Sequence, residues 1–291
     1  MGLDLRVLEQ LIALAEERSF TRAARRVHLT QQALSTSIRG LEREVGVQLV
    51  DRSGGRVRLL PAGEALVADA RVLRGLANAA LHRTRSIGRD GAETVRIGHT
   101  PAVTGEEVTA LLARVRAEHP DLRCDVRQFF PDALRAGLGN GELDLGLCRA
   151  MTPPAGLNST TVCHHRLRVA VSSTHRLAER GTVGFADLAD ECLVVWGVPG
   201  RSGYTDLLLG LCRDAGIEPR FERNPVQGTP PVTAVIGTEH VALVTSAPGP
   251  AADGRVVVCE LDPAVHVPLR ALWPEHTTSP ARDALLESAA R

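Results

Sequence analysis

Gln31, Gln32, Ser35, Thr36 and Arg39 are the residues whose types and spacing point most directly to a chemistry. Amides, hydroxyls and a guanidinium donate and accept hydrogen bonds in pairs, which is what base edges in a DNA major groove require. Their spacing gathers them on one side of a helix, because Leu34, Ile38, Leu41 and Val45 recur at helical intervals and claim the other side. Thr30 can cap that helix and Gly46 stops it. The same stretch is basic. Between residues 18 and 58, nine arginines (Arg18, Arg22, Arg25, Arg26, Arg39, Arg43, Arg52, Arg56, Arg58) stand against Glu42, Glu44 and Asp51, a net of +6. Residues 61–291 carry 24 arginines against 27 acids. A compact basic segment on an otherwise acidic chain is the electrostatic footprint of a phosphate-binding module.

Short helices and a hairpin must hold this face in place. Leu5, Leu8, Ile12 and Ala15 recur at helical spacing, and Leu11 widens the stripe. Ser19, Phe20 and Thr21 interrupt it, with Thr21 as the expected cap of a second helix over residues 22–27, and His28-Leu29 turns the chain into the third. Residues 48–60 alternate around Ser53-Gly54-Gly55 as a hairpin would, and Arg52, Arg56 and Arg58 decorate it as on the wing of a winged helix-turn-helix. Pro61 opens a long helix at the position where proline costs least. On it Leu66, Leu73, Ala80 and Ile87 are spaced by seven, with Ala70, Ala77 and Thr84 between them, the narrow stripe of a two-helix seam. This predicts a dimerisation arm, ended by a hinge over residues 88–91. The expected domains are 1–60, 61–90 and 91–291.

From residue 94 strands alternate with helices: 95–98, 122–129, 143–148, 167–172, 192–196, 219–223 and 240–245 read as strands, with helices over 106–118, 131–138 and 205–215 among the segments between them. That order predicts α/β layers with parallel sheets, and the number of strands suggests two small sheets with a cleft between them. Ligands of open sheets bind at the carboxyl ends of strands. Those ends supply Thr100, Pro101 and Val103, then Phe129, Arg149, residues 199–202 (Arg201 and Ser202 among them) and residues 226–229 with Val226 and Gln227. Arg149 and Arg201 are the charges of this set, and an arginine fork suits a carboxylate, so the expected effector is a small anionic or polar molecule.

The 291 residues suffice for two ordinary domains, and the 44% apolar and 23% charged composition is that of a chain with real cores. No apolar run reaches the length of a membrane span, and the N-terminus lacks the basic start, apolar block and cleavage site of a signal peptide. The expectation is a cytoplasmic protein without a membrane partner, its six cysteines reduced and buried. An enzyme is the first rival reading. No glycine-rich phosphate loop, HExxH or GxSxG occurs, and His164-His165 would point to opposite sides of a strand. No catalytic residue, metal or cofactor is therefore expected. A solute-binding protein is the second rival, disfavoured by the basic N-terminal module.

The stretch SFTRAARRVHLTQQALS, followed by I-x-x-LE-x-E-x-G-x-x-L, resembles the LysR-type transcriptional regulators. VRIGHTPA, GELDLGLC and the final SPARDALLESAAR extend the resemblance along the chain. It implies an N-terminal winged helix-turn-helix, mostly α, a linker helix, and a C-terminal effector domain of two α/β subdomains like a periplasmic binding protein. It also implies promoter DNA and a small co-inducer as partners, and a homodimer through the linker helix that assembles into a dimer of dimers. By position, Thr30, Gln31, Gln32, Ser35, Thr36 and Arg39 would form the recognition surface, and Arg52, Arg56 and Arg58 would hold phosphates or the minor groove. Gln32 stands where the family usually has proline and Thr36 where it often has arginine, so the operator sequence does not follow by analogy.

Overall fold

The computed structural model describes residues 2–52, 57–226 and 229–289. The chain divides into two units: residues 1–85 with Gly139–Glu142, and Ser86–Leu138 with Leu143–Arg291.

The first unit is built on three helices, α1 (Leu5–Glu17), α2 (Phe20–Arg26) and α3 (Gln31–Val45). Asp4 Oδ1 caps α1 by accepting the Arg6 N–H at 2.9 Å, and Arg18 ends the helix in the left-handed region. The cap of α2 is Ser19 rather than Thr21, so α2 starts two residues earlier than the sequence reading. Serine sits there in extended backbone with its hydroxyl free to accept, while Phe20 already has a place against the core. Thr30 Oγ1 accepts the Ala33 N–H at 3.1 Å, and Gly46 closes α3 at φ 77°. Leu11, Leu14, Ala23, Leu34, Ile38 and Leu41 form the shared core. A two-rung antiparallel hairpin, β1 (Val50–Asp51) and β2 (Arg58–Leu59), follows; its expected Ser53-Gly54-Gly55 turn and Arg56 lie outside the described residues.

Helix α4 (Pro61–Asp90) is the long helix expected from Pro61. Its stripe is not uniform, however. Ala70 is buried with Leu8 and Ile12 of α1, and Leu66 packs on the same cluster. Leu73, Ala80, Thr84 and Ile87 are exposed. The amino-terminal part of the stripe is thus core of the chain's own helical unit, and its carboxyl-terminal part remains uncovered.

The second unit holds two sheets. In the first, β4 (Arg123–Gln128), β3 (Thr94–His99), β5 (Leu145–Cys148), β14 (His266–Pro274) and β6 (Leu157–Arg166) lie in that order. Helices α5 (Gly105–Glu118), α6 (Pro131–Gly139) and α8 (Pro280–Ala289) belong to this lobe. In the second, β10 (Arg220–Arg223), β9 (Cys192–Val195), β11 (Val241–Val244), β7 (Arg168–Ser172), β13 (Val256–Asp262) and β12 (Gly249–Ala251) are consecutive, with β8 (Thr182–Gly184) beside β13. Helix α7 (Gly203–Asp214) covers this sheet with Leu208, Leu209 and Cys212. Both sheets are mixed rather than parallel: β14 runs antiparallel to β5 and β6, and β7 antiparallel to β11 and β13. The chain passes from lobe to lobe between β6 and β7 and back between β13 and β14, and the strands flanking these passages pair in the opposite sense. Five strands of these passages and their neighbours (β6, β8, β12, β13, β14) were not in the sequence reading. Leu167 N–H donates to Val265 O at 2.8 Å, which joins the two crossing segments. The central strands are buried on both faces, as in Val241–Val244, and read as unbroken apolar runs.

One close approach in the first unit is diagnostic. A Cβ on Gly63, in the first turn of α4, would stand 2.2 Å from the Leu49 carbonyl oxygen. Gly63→Ala in an ordinary helix would gain up to ~1 kcal/mol. Here overpacking against backbone should instead destabilise this unit by about 1–3 kcal/mol, seen as a lower thermal midpoint; an unchanged or raised midpoint would show that the hairpin can give way.

Candidate functional site

The described residues present two surfaces where the sequence placed chemistry. On α3, Gln31, Gln32, Thr36 and Arg39 are exposed and Ser35 is partly so, opposite Leu34, Ile38 and Leu41. Thr30 spends its oxygen lone pair on the helix cap. Gln31 Oε1 accepts from the Thr21 hydroxyl at 3.0 Å, which fixes the amide and leaves its NH2 outward as a donor. Arg39 and Arg58 are exposed and have no acidic partner among the described residues. Arg22 and Arg26 are instead paired with Glu17 and Glu16.

Arg52 has a partner within the protein that the sequence did not indicate. Its Nη2 donates to Glu42 Oε2 at 3.0 Å, and its guanidinium carbon lies 5.2 Å from the Phe20 ring centroid. Glu42 is the residue that sequence reasoning missed. Its Oε1 accepts the Leu49 and Val50 N–H groups at 3.0 and 3.2 Å while Oε2 holds Arg52. One carboxylate therefore fastens the entry of the hairpin to the carboxyl-terminal half of α3, and Arg52 is a brace between them. The signal was present in the I-x-x-LE spacing, where the acid follows buried Leu41 directly.

The second surface is a cleft of about 510 Å³ between the two lobes of the second unit. It is lined from β3, α6 and β5 on one side by Thr100, Pro101, Ala102, Phe130, Arg135 and Met151, and from β9 and α7 on the other by Trp196, Val198, Arg201, Ser202 and Tyr204. Strand ends and helix starts thus converge there, as expected of open α/β sheets. Gly203 brings α7 against the loop after β5, since a Cβ there would meet Ala150 O at 1.9 Å. Ser202 caps α7, its Oγ accepting the Thr205 N–H at 3.4 Å. The Thr205 hydroxyl accepts the Gly197 N–H at 3.1 Å, and Asp206 accepts the Gly200 N–H at 2.7 Å, so the loop bearing Arg201 is tied to the helix behind it.

Arg149 is not the free fork of the sequence reading. Its side chain has no exposed surface, and its Nη2 lies 2.5 Å from Glu107 Oε1. Its Nε donates to Ala102 O at 3.0 Å and its Nη1 to Val267 O at 3.2 Å. Nη2 also lies 2.7 Å from His165 Nδ1. Burial holds the His165 ring below its ordinary pKa; its Nδ1 also lies 3.2 Å from Glu107 Oε1, and its Nε2 lies 3.7 Å from Cys163 Sγ. Tyr204 is buried beside this group, and burial pushes its hydroxyl up to about 12. Arg149 braces the floor of the cleft, Arg135 is paired with Asp132, and of the described arginines that line the cleft only Arg201 offers an exposed guanidinium without a partner.

Of the other expected residues, Val103 is buried in the first-lobe core and Phe129 packs with Leu134, Leu138 and Leu143; neither lines the cleft. Phe130, one residue on, does, with half of its surface exposed. A strand end alternates sides, so the choice between neighbours rests on register that only the sheet sets. Val226 is exposed away from the lining, and Gln227 lies outside the described residues. Two atoms are informative, one on Thr100, which the sequence had marked, and one on Trp196, which it had not: Thr100 Oγ1 and Trp196 Nε1 are buried, have no hydrogen-bond partner, and belong to residues that line the cleft. No group of histidine, cysteine and carboxylate ligands is found in the cleft among the described residues.

A helix-turn-helix with a basic polar third helix, joined to a two-lobed α/β unit with a ligand-sized cleft, defines a DNA-binding transcription regulator with an effector-binding domain. The chain belongs to the LysR family: the bacterial regulatory helix-turn-helix protein model of that family matches residues 5–64, and the LysR substrate binding domain matches residues 88–291. It is 33% identical over 217 residues to the regulator XapR of Escherichia coli (strain K12), covering 74% of this chain and 73% of that protein. It is 31% identical over 253 residues to TfdS of Cupriavidus pinatubonensis, covering 85% and 80%. A full-length OxyR variant from Pseudomonas aeruginosa shares the fold at a TM-score of 0.63 and 22% identity over 99% of this chain and 95% of that one. The matched relatives are regulators, not enzymes. No helix among the described residues is long and apolar enough to cross a membrane.

Glu42→Ala would strand two backbone N–H groups and Arg52 at once. Leaving such donors unmet should cost about 1–3 kcal/mol, read as a lower thermal midpoint and as faster amide exchange at Leu49 and Val50. Unchanged exchange there would mean that the hairpin is held by its own pairing.

Proposed function

We propose that this regulator binds a two-fold related promoter site through the outward face of α3, and that a small carboxylate-bearing molecule in the cleft alters that binding. The observation that carries the second part is the coincidence of Thr100 Oγ1, Trp196 Nε1 and Arg201 in one cleft. A buried N–H or hydroxyl without a partner is costly, so the two atoms are groups waiting for an acceptor or donor. The N-terminus of α7 adds partial positive charge beside Arg201. Phe130, Met151 and Val198 offer apolar contact for the rest of the molecule. An anion with an apolar body satisfies all of these at once.

For the first part, Gln31, Gln32, Ser35, Thr36 and Arg39 are the candidate base readers, with Thr30 at the helix start and Arg58 on the hairpin as a phosphate contact. The exposed part of the α4 stripe, Leu73, Ala80, Thr84 and Ile87, supports association of two chains through this helix, which would place two such faces on one site. Coupling between the cleft and DNA requires only that the effector favour one arrangement of the protein, at typically 1–3 kcal/mol.

Two measurements test this reading. Binding to an upstream duplex should weaken steeply with added salt, and Arg58→Ala should weaken all sequences alike while reducing the slope of log K against log salt by about one. Gln31→Ala should instead change the preferred bases, by about 1–3 kcal/mol for a good bidentate contact; salt-independent binding would sink the idea. For the cleft, a panel of small carboxylates is screened by thermal shift, and the hit is titrated against operator binding. Thr100→Val and Arg201→Ala should each abolish the response and spare basal DNA affinity. A full response in both variants would place the effector elsewhere.

A further inference from the structure

Away from the cleft, three strands of the second-lobe sheet bring together residues that lie 18 to 48 positions apart in sequence. Cys192 begins β9, Glu222 lies on β10, and His240 immediately precedes β11. Strand pairing places them side by side. Cys192 is in register with Arg220, so Glu222, two residues on, falls on the same face. Val241 pairs with Leu193, so the residues before them, His240 and Cys192, are neighbours. One ligand atom from each of the three lies within 4.8 Å of the others, and His240 Nε2 is 3.0 Å from Glu222 Oε2.

We propose that Cys192, His240 and Glu222 form a binding site for a divalent transition metal of the zinc class. A thiol, an imidazole and a carboxylate are the donor types zinc takes, and softer or harder ions fit this mixture less well. Ligand bonds of about 2.0–2.3 Å at tetrahedral angles set ligand atoms roughly 3.3–3.6 Å apart, so the histidine and carboxylate already stand near the required separation. The thiol closes the rest by a side-chain movement of about an ångström. Binding releases the Cys192 proton to solvent and replaces the His240–Glu222 hydrogen bond with two metal bonds.

The surroundings suit such a site. The neighbouring cation on this face, Arg220, turns its guanidinium to the Asp190 carbonyl. The Thr238 hydroxyl accepts the His240 N–H at 3.2 Å and fixes the backbone that carries the imidazole. Glu222 is exposed, and His240 and Cys192 are half-buried, which gives an ion a direct path from solvent. Three protein ligands leave a fourth position for water or a small anion. None of the three lines the cleft, so this site is independent of the effector reading.

The test uses the full chain, reduced and stripped with a chelator. Zinc alone is titrated by calorimetry, and cobalt(II) alone by absorption, where a thiolate ligand gives a sulfur-to-cobalt charge-transfer band. We expect one ion per chain, the band present, and a raised thermal midpoint with zinc. Cys192→Ser should remove the band, and His240→Ala and Glu222→Gln should each weaken zinc binding by more than about tenfold. Cys163→Ser, which alters the cysteine beside His165, should leave all three readouts unchanged. Exposed Glu222 makes its variant the safeguard should the Cys192 variant fold poorly. The proposal is overturned by a band that survives Cys192→Ser, by one lost in Cys163→Ser, by zinc affinity indifferent to His240 and Glu222, or by no saturable binding.

Discussion

A guanidinium without exposed surface, that of Arg149, sits where the cleft is assembled. Removing such a charge from water costs several kcal/mol, and pairing recovers it only when nearly every donor is met. Arg149 meets that condition by reaching Glu107 on α5, the Ala102 carbonyl after β3, and the Val267 carbonyl at the start of β14. Glu107 is itself committed: its Oε2 accepts the Thr104 N–H at 2.9 Å in the capping box of α5. The same interaction that neutralises the arginine therefore fixes a helix start, a strand end and a segment returning from the other lobe. The position of Thr100, two residues from Ala102, follows from it. So does the shape of the cleft floor that Arg201 faces across.

The helical unit solves a similar problem with the charges reversed. Glu42 is a carboxylate, mostly covered, that has taken two backbone N–H groups and one arginine. Its neighbours Thr36 and Arg39, further along the same helix toward its start, carry no such duty and stay exposed. The division is physical. A polar side chain bound to the scaffold positions its neighbours, and one left outside can meet a partner. Arg52 and Arg149 belong to the first kind, Arg39, Arg58 and Arg201 to the second, although all five are arginines in basic or cleft-forming segments.

Helix α4 shows how one sequence repeat can serve two ends. Leu66 and Ala70 are spent on α1, where small Ala70 lets the helices approach. Leu73, Leu81 and Ile87 stay exposed, between 38% and 51%. A lone monomer seldom leaves such a row of large apolar side chains uncovered. The heptad spacing made the whole stripe look alike, and only packing against α1 separates its two parts.

What the sequence by itself determined is what depends on near neighbours. The limits of α3 follow from Thr30 and Gly46, its polar face from the spacing of Leu34, Ile38 and Leu41, and the start of α4 from Pro61, because capping and periodicity act within a few residues. Seven strands were legible from the alternation of strand-like segments with helices, the central ones as apolar runs such as VALV. Strands β13 and β14 carried a similar signal in VVVCELD and the alternation of HVPLRALWP, whereas β6 is largely polar and only its Val162 is fully buried, so little in it marks a strand. Tertiary structure alone decided the antiparallel pairing of β14, the choice of Phe130 over Phe129 at the cleft, and the fates of Arg52 and Arg149. It alone brought Cys192, Glu222 and His240 together. Each of these depends on groups dozens of residues away, and a side chain's role is set by which partner reaches it first in space, a distance that sequence separation does not measure.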